Sequence, residues 1–467
     1  MKKYLYLIKN MGLLTISNFT TKFLSFFLVP LYTAVLSTSE YGTYDLFNTT
    51  ISLLIPLLTI DIQEAVLRFS MDDDAQLESI WKIGFRYTFI SCWIVLVGLG
   101  LNRIFIFYEV ITDYEIEFLL LYSVTAFSGL LLYFTRGTGK FVYLSISGVL
   151  SSVIMIICNI VFLLWFKFGI HGYFWATIIG VGVQCIYLSS KLNLSVNCKF
   201  NSDEINLHNR MIEYSKPMVS NAISWWINTA SDRYVVTWFC GIAVNGIYSV
   251  SYKIPSILSV LQGIFSQAWT LSATKEFDRE DKNSFFINVY NTYNFFLIFA
   301  CSVLLIFDKP LSKLLFADEF YQAWRCASFL LLSTIFSGLA TFLGGILSAL
   351  KKSNLFARVS IITAIVNTLL NIILVFFIGP IGAAISTLVA YCLMWALRLV
   401  QVKKFLNLKV NYFRDFLAYI ILIIQALNLF VIQNNLFLIS SHIIFLIVIV
   451  VMYKNVVVNI FYRIRKN

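Results

Sequence analysis

Long apolar windows without a single charged residue dominate this sequence. Clear examples are residues 141–166, 283–307 and 326–350. An α-helix needs about 20 apolar residues to cross the hydrocarbon core of a bilayer, so each window is long enough to span a membrane. Charged residues make up only 13% of the 467-residue chain, about half of the roughly 25% typical of soluble domains. These features predict an all-α polytopic membrane protein. They exclude a soluble globular domain, a disordered chain and a nucleic-acid-binding domain.

The apolar windows divide into fourteen predicted transmembrane helices. Two windows are twice the length of a span, and the helix-breaking segments Gly379-Pro380 and 433–435 divide them. The predicted spans are 11–36, 41–66, 81–105, 116–136, 141–166, 170–191, 215–240, 245–272, 285–307, 323–350, 355–378, 381–403, 414–433 and 436–459. The start Lys2-Lys3 resembles a signal peptide, but no small-x-small cleavage site follows, so we expect a retained first helix.

The net charge of +11 is explained by the loops between these spans. Most of the 35 Lys and Arg residues fall in loops on the side of the N-terminus. The few on the other side are Arg103, Lys167, Lys309, Lys313 and Arg325. Because basic loops remain in the cytoplasm, both termini are predicted to be cytoplasmic. The longest outer loops are predicted at 106–115 and 308–322.

The sequence contains no signature of metal, nucleotide or redox chemistry. Its eight cysteines include no Cys-x-x-Cys pair, and its three histidines lack partners at metal-ligand spacing. No phosphate-binding glycine loop is present, although sequence order alone leaves a Ser-His-Asp triad open. No cofactor is therefore predicted. Coupling of transport to H⁺ or Na⁺ is possible on this sequence.

An internal repeat divides the chain into two copies of a six-helix lobe. The segment Tyr41–Tyr44 (YGTY) recurs as Asn245–Tyr248 (NGIY). Further matches pair Cys158–Val161 with Leu370–Ile373, Gly172 with Gly382, and Thr177 with Thr387. Since six spans is an even number, the copies are predicted to be parallel repeats around an axis along the membrane normal. The predicted domains are residues 1–205, 206–407 and, outside the repeat, 408–467 with helices 13 and 14.

Five of the charged residues within the predicted spans are candidates for a buried site, because a charge in the bilayer costs about 2.5–3.5 kcal/mol on insertion scales. They are Lys22, Asp45, Asp232, Arg233 and Lys253. Each lies on a polar stripe with helical spacing, and the stripe of helix 7 also contains Asn228. Because the stripes fall on corresponding helices of the two copies, they predict one wet, net-cationic cavity that suits an anionic, phosphate-bearing substrate. The alternative is a structural ion pair from Asp232 or Asp45 to Arg233 or Lys253, joining the lobes.

A second polar group lies near the cytoplasmic end of helix 2. It comprises Asp61, Glu64 and Arg68. These residues are candidates for a gate or for coupling to a proton or cation. The alternative interpretation is that they snorkel to the interface.

The order of several short motifs resembles a known family. They are Leu36–Tyr44 (LSTSEYGTY), Gln63–Phe69 (QEAVLRF), Ser231–Tyr234 (SDRY) and Val244–Ser249 (VNGIYS). Together with the glycine turns after helices 5 and 11, they resemble the polysaccharide-biosynthesis transporters of the MATE-like MOP superfamily. The Wzx-type flippases of O-antigen or capsule repeat units are the most similar.

The resemblance implies two six-helix bundles, alternating access, and an undecaprenyl-pyrophosphate oligosaccharide as substrate. Lys22, Arg233 and Lys253 would face the anionic substrate. Membrane lipids are expected partners, and a polysaccharide polymerase and glycosyltransferases are candidate partners. No nucleic acid is expected. Lipid II flippases resemble the chain in their fourteen spans, and in them a groove beside the extra helix pair is thought to hold the lipid tail.

We therefore predict a lipid-linked oligosaccharide flippase of the bacterial cytoplasmic membrane that performs no covalent chemistry. One alternative is a lipid II-type peptidoglycan precursor flippase. A MATE-type drug/cation antiporter is a second, but the cations in the spans and the extra two spans weigh against it. A membrane glycosyltransferase or polymerase is a third, disfavoured because the predicted outer loops are too short for a catalytic domain.

Overall fold

The computed structural model describes residues 26–72, 74–105, 109–192, 202–276, 282–350, 353–406 and 410–458. Every regular element in these ranges is a helix. The chain forms two compact units, Met1–Trp226 and Ile227–Asn467. Up to the end of the first unit, the helices are α1 (Val29–Val35), α2 (Thr38–Leu58), α3 (Ile62–Phe69), α4 (Leu77–Phe105), α5 (Glu109–Asp113), α6 (Glu115–Gly137), α7 (Phe141–Asn159, continued by the π-helix Ile160–Trp165), α8 (Gly169–Leu192) and α9 (Ser202–Cys240).

The helices that follow are α10 (Ile242–Ser251), α11 (Lys253–Glu276), α12 (Lys282–Leu315), the 3₁₀-helix Asp318–Ala323, α13 (Trp324–Ala349), α14 (Ser353–Ile378), α15 (Pro380–Lys403), α16 (Tyr412–Val431) and α17 (Asn435–Met452). Across the described ranges, ten helices are long and apolar enough to cross a membrane, or eleven if the bent pair α2 and α3 counts as one. The prediction of a helical polytopic membrane protein is confirmed. The count of fourteen spans, the parallel repeat and the three domain boundaries stay predictions.

Several helix boundaries differ from the predicted spans. Helix α12 continues to Leu315, through residues predicted as an outer loop, because Asp308 and Ser312 are fully buried and extend its packed face. The predicted eighth span is divided at Tyr252, between α10 and α11. Pro255 accounts for this break, since its ring nitrogen cannot donate the helical hydrogen bond to the residue four positions earlier.

In the first unit, the break between α2 and α3 positions the polar residues of the predicted gate. A capping box fixes the start of α2, where Ser37 and Glu40 exchange side-chain and backbone hydrogen bonds. The two helices meet at an angle of 64°. Ile60 and Asp61 both have left-handed backbone angles, with φ of 53° and 49°. A left-handed angle is rare for a β-branched residue, so the break is a strained point of the chain.

In the second unit, the most buried spanning segment includes the 3₁₀-helix and α13. Helix α13 packs against α11, α12 and α15. Helices α14 and α15 form a tight hairpin at Gly379, whose φ is 62°. A Cβ atom on Gly382 would lie 2.3 Å from the carbonyl oxygen of Leu374. Only glycine therefore allows the two backbones to come this close.

A polar junction attaches α16 and α17 to α12. The buried carboxylate of Asp415 accepts hydrogen bonds from Arg414 at 2.8 Å and from the Tyr453 hydroxyl at 2.6 Å. Arg414 also donates to Asn291 on α12 at 2.8 Å. In this junction Arg414 and Asp415 therefore neutralise each other and are also hydrogen-bonded to neutral side chains, as buried ion pairs require.

Candidate substrate cavity

The second unit encloses a cavity of about 250 Å³. This is close to the lower end of the range for small-molecule sites, about 300–1,000 Å³. Helices α9, α11, α13 and α15 all contribute to its wall, together with the turn at Tyr252. Apart from Pro255 and Leu330, every lining residue has a polar side chain. The polar lining residues are Asn228, Thr229, Arg233, Tyr252, Ser256, Ser259, Ser333, Thr334, Ser337, Thr387 and Tyr391.

Many hydroxyl groups of this wall donate to their own helix. Ser256 donates to the carbonyl of Lys253 at 2.6 Å, and Ser333 donates to that of Leu330 at 2.7 Å. A hydroxyl that donates in this way keeps its oxygen lone pairs as acceptors. The buried hydroxyl of Thr387 makes no hydrogen bond to any part of the chain that the structure describes. The wall therefore offers acceptors for the hydroxyl groups of a ligand.

The cation of the cavity is Arg233. Its Nη1 donates to the carbonyl of Thr229 at 3.0 Å and lies 3.5 Å from Asp232 Oδ1. Its guanidinium lies 4.7 Å from the ring centre of Tyr252, within the range of a cation–π interaction. The side chain is 14% exposed. Arg233 therefore presents a largely desolvated positive charge to the cavity, where electrostatic attraction is stronger than in water.

Asp232 lies behind the wall and orients Tyr252. It is 3% exposed, and its Oδ2 accepts hydrogen bonds from the hydroxyl groups of Tyr248 and Tyr252, both at 2.5 Å. Bonds to a carboxylate are shorter and stronger than bonds between neutral groups. The network fixes the Tyr252 ring beneath the Arg233 guanidinium. The Asp232–Arg233 ion pair thus connects two consecutive residues of the same helix, α9.

A second buried arginine lies beyond the cavity wall. Asn228 Nδ2 donates to the carbonyl of Ser360 at 3.2 Å, and Arg398 Nη2 donates to the hydroxyl of the same serine at 3.0 Å. Arg398 is 4% exposed and also donates to the carbonyl of Ala340 at 2.8 Å. The sequence places Arg398 with the loop cations at the end of a span. In the structure it crosslinks α13, α14 and α15.

The structure brings together only part of the predicted site. Asn228 and Arg233 line the cavity, and Asp232 supports it from behind. Lys253 is half-buried at the start of α11 and is not among the lining residues. Asp45 is half-buried on α2 in the first unit. Lys22 lies outside the described residues.

The residues of the predicted gate have separate partners. Asp61 is at the break that precedes α3. Glu64 accepts a hydrogen bond from the Tyr133 hydroxyl at 3.4 Å. Arg68 pairs with Asp72 at 2.5 Å on the protein surface.

The sequence interpretation missed the contributions of α13 and α15. Ser333 and Ser337 are four residues apart, as are Thr387 and Tyr391. This spacing puts each pair on one helix face. The signal was present, but small hydroxyl residues in apolar spans are too common to single out a site without the packing.

Comparison with known proteins identifies the family. Residues 7–271 match the family described as polysaccharide biosynthesis protein. The chain belongs to the polysaccharide biosynthesis protein family. The region that matches the family includes α9 and α11 of the cavity wall, with Arg233 and Tyr252. A curated relative is the probable low-salt glycan biosynthesis flippase Agl15 of Haloferax volcanii, 24% identical over 207 residues. The match spans 43% of each chain, less than half the length of this relative.

Solved structures share the fold of this polysaccharide biosynthesis protein. The lipid II flippase MurJ in an inward closed conformation is similar with a TM-score of 0.72 and 16% identity, covering 95% of this chain and 99% of the other. An inward-facing multidrug resistance MATE family transporter of the MOP superfamily is similar with a TM-score of 0.66 and 13% identity, covering 82% and 94%. The predicted MATE-like fold is confirmed. Family and fold together identify a membrane protein of the polysaccharide biosynthesis protein family that has the fold of these solved transporters.

Proposed function

We propose that this protein flips a lipid-linked glycan across the membrane by alternating access, for the synthesis of a surface polysaccharide. One observation carries the proposal. A cavity inside an apolar transporter has a wall of hydroxyl and amide groups and one desolvated cation, Arg233. Such a wall offers hydrogen bonds to sugar hydroxyls and a positive charge to phosphate.

The finer proposal is a Wzx-type flippase of the bacterial cytoplasmic membrane that moves undecaprenyl-pyrophosphate oligosaccharide from the inner to the outer leaflet. The cavity volume of about 250 Å³ is small for a whole oligosaccharide. We therefore assign it to the pyrophosphate and the first sugar. The isoprenoid stays in lipid, along the two C-terminal predicted spans, 414–433 and 436–459, which correspond to α16 and α17. Membrane lipids, a polymerase and glycosyltransferases remain proposed partners.

The proposed architecture is fourteen spans with cytoplasmic termini and two parallel repeats. Similar local structures support the repeat. In the first unit, Gln63 donates to the carbonyl of Ala126 and packs onto Gly129. In the second, the amide of Gln262 donates to a carbonyl of α13 and packs onto Gly338. A glutamine that joins two helices across a glycine thus occurs in both units.

Coupling to H⁺ or Na⁺ is also proposed, and the predicted gate is where we expect part of it. Asp61 lies at the strained break between α2 and α3, and Glu64 follows it in the first turn of α3. A break with left-handed angles is a place where a helix can change direction with little loss of hydrogen bonding. Arg68, paired with Asp72, is then a fixed surface contact beyond the hinge.

The test is complementation of a strain that lacks this gene. Cytoplasm-facing lipid-linked repeat units should accumulate in the deletion strain, and the wild-type protein should clear them. Arg233→Ala should abolish clearance, while Arg233→Lys should restore part of it. Arg325→Ala is the matched control, because Arg325 lies on the ring of Trp324, away from the cavity wall.

Three outcomes would contradict the proposal. Accumulation of lipid II instead would indicate the peptidoglycan precursor flippase, whose fold is shared. Unchanged glycan export with increased drug sensitivity would indicate a drug antiporter. Full clearance by a membrane-inserted Arg233→Ala protein would reduce Arg233 to a structural role.

A further inference from the structure

A buried carboxyl group on α12 lies outside the cavity wall. Asp308 is 0% exposed. Neither of its side-chain oxygens has a hydrogen-bond partner in the part of the chain that the structure describes. The hydroxyl of Ser312, one helical turn further on, is also 0% exposed and has no such partner. Since residues four apart share a helix face, the two polar side chains lie on the same buried face of α12.

The basic side chains near Asp308 make no hydrogen bond to its carboxyl group in the described ranges, although Lys309 is close enough to feel its charge. Lys309 Nζ lies 4.7 Å from the ring centre of Trp324, and the Arg325 guanidinium lies 5.7 Å from the same ring. No ion pair within 4 Å involves Asp308 in the described ranges. Cys301 on α12 and Cys326 on α13 are close enough to feel its charge, and both are buried. Neither thiol can neutralise a carboxylate.

Of the elements packed against α12, helix α11 begins with Lys253 and α13 carries Arg325, and in the described ranges neither cation forms an ion pair with Asp308 within 4 Å. Helix α16 runs parallel to α12, because Tyr419 bonds Asn294 near the start of both helices and Phe430 reaches Trp324 at the other end. Its titratable residues therefore lie at the far end from Asp308. Helix α17 contributes His442, and the 3₁₀-helix contributes acidic residues, Asp318 and Glu319. The remaining basic residue of α12 at this end is Lys313.

An isolated carboxylate in such a place is costly. Moving an unpaired ion into a low-dielectric interior costs far more than a kcal/mol or two, and buried acids avoid it by taking up a proton. Asp415 shows the alternative, since the same bundle provides that buried aspartate with Arg414 and Tyr453. The contrast between the two aspartates is the basis of the inference.

We propose that Asp308 is a proton-binding site of this transporter, separate from the substrate cavity. In the described conformation the side chain is the neutral acid, –COOH. When α12 and α13 separate, water reaches the group and it releases one H⁺, leaving –COO⁻. On the proposed topology Asp308 lies in the outer half of the membrane, so the proton exchanges with the outside.

The first experiment reads the protonation state in the purified full-length protein in lipid, without any glycan. The infrared C=O band of a carboxylic acid, which shifts in D₂O, should be lost in Asp308→Asn. Asp308→Glu should shift the band, since it keeps the acid and changes its surroundings. Asp318→Asn is the matched control and should leave the band intact, because Asp318 is exposed in the 3₁₀-helix that follows α12. A spectrum identical in wild type and Asp308→Asn would overturn the proposal.

A second experiment reads the release step. With Cys326 as the single cysteine, we compare the pH dependence of its alkylation in wild type and in Asp308→Asn. Alkylation requires the thiolate, and a negative charge on Asp308 disfavours the neighbouring Cys326 thiolate, so the wild-type rate should rise with pH less steeply than the variant rate. Equal pH dependence would refute proton release. If Asp308→Asn fails to fold, Asp308→Glu replaces it, and a band unchanged between wild type and Asp308→Glu would refute the assignment. None of these measurements depends on glycan transport, so the flippase proposal and this one can fail independently.

Discussion

Removing one hydroxyl from the network around Asp232 is the most direct test of how the cavity is built. Tyr248 and Tyr252 donate to the same carboxylate oxygen over equal distances of 2.5 Å. They differ in position, because Tyr248 is fully buried and Tyr252 lines the cavity. Substitution by Phe keeps the ring and removes only the hydroxyl. The pair therefore separates support of Asp232 from contact with the substrate.

The expected loss of stability follows from the nature of the bond. Hydrogen bonds within membrane proteins average about 0.6 kcal/mol in double-mutant cycles, whereas bonds to charged groups contribute about 1.5–3 kcal/mol. The second value applies here, because Asp232 is a carboxylate with 3% exposure. Each single variant should therefore lose about 1.5–3 kcal/mol. The double variant should lose more than the sum of the two, since neither tyrosine then remains to solvate the carboxylate.

The assay is equilibrium unfolding in mixed micelles, followed by tryptophan fluorescence. Tyr293→Phe is the control, because the Tyr293 ring stacks on Phe265 at 3.8 Å and its hydroxyl makes no hydrogen bond to a described residue. Glycan transport is measured in parallel. Tyr252→Phe should reduce transport more than Tyr248→Phe does. A loss below about 0.5 kcal/mol in both single variants would refute the charge-assisted network. Equal transport in both would refute the role of Tyr252 in the cavity.

Two further predictions concern packing. Gly382→Ala should destabilise the protein by about 3 kcal/mol or more, because the new methyl group would meet the Leu374 carbonyl at 2.3 Å. The control is Gly263→Ala, whose new methyl group meets no atom within 4 Å. In the same unfolding assay it should be neutral or stabilise the protein by about 0.5–1 kcal/mol. Asp415→Asn should cost about 3–5 kcal/mol, because it leaves the buried Arg414 cation without its carboxylate. It should also raise amide hydrogen exchange across residues 412–431, and unchanged exchange there would contradict the junction.

The sequence was sufficient to predict a helical polytopic membrane protein, because the hydropathy and length of a spanning helix follow directly from the thickness of the bilayer. It also identified the polar stripe of α9 with Asn228 and Asp232, since helical spacing alone puts residues four apart on one face, and it identified Arg233 as a charge within a span. It could not identify Ser337 or Tyr391, because their role depends on how α13 and α15 pack against the other two helices. Packing of that kind is a long-range property that local periodicity does not contain.

Residues at the ends of spans were the hardest to interpret. Asp308 and Arg398 both read as loop charges, because a charged residue near the end of an apolar window usually reaches water. In the structure both are buried. Which way such a side chain points is decided by the neighbouring helices, and a sequence window does not include them.

Asp232 and Arg233 show why adjacency in sequence is a poor guide to pairing. Consecutive residues on a helix point in directions about 100° apart, so the two side chains face different surroundings. Asp232 is held by two tyrosine hydroxyls and Arg233 faces the cavity, and their contact of 3.5 Å is longer than the 2.5 Å hydrogen bonds that Asp232 accepts from the tyrosines. The aspartate is therefore stabilised mainly by its tyrosines rather than by the arginine. This leaves the Arg233 charge less neutralised than a close ion pair would, which is the property that an anion-binding cavity requires.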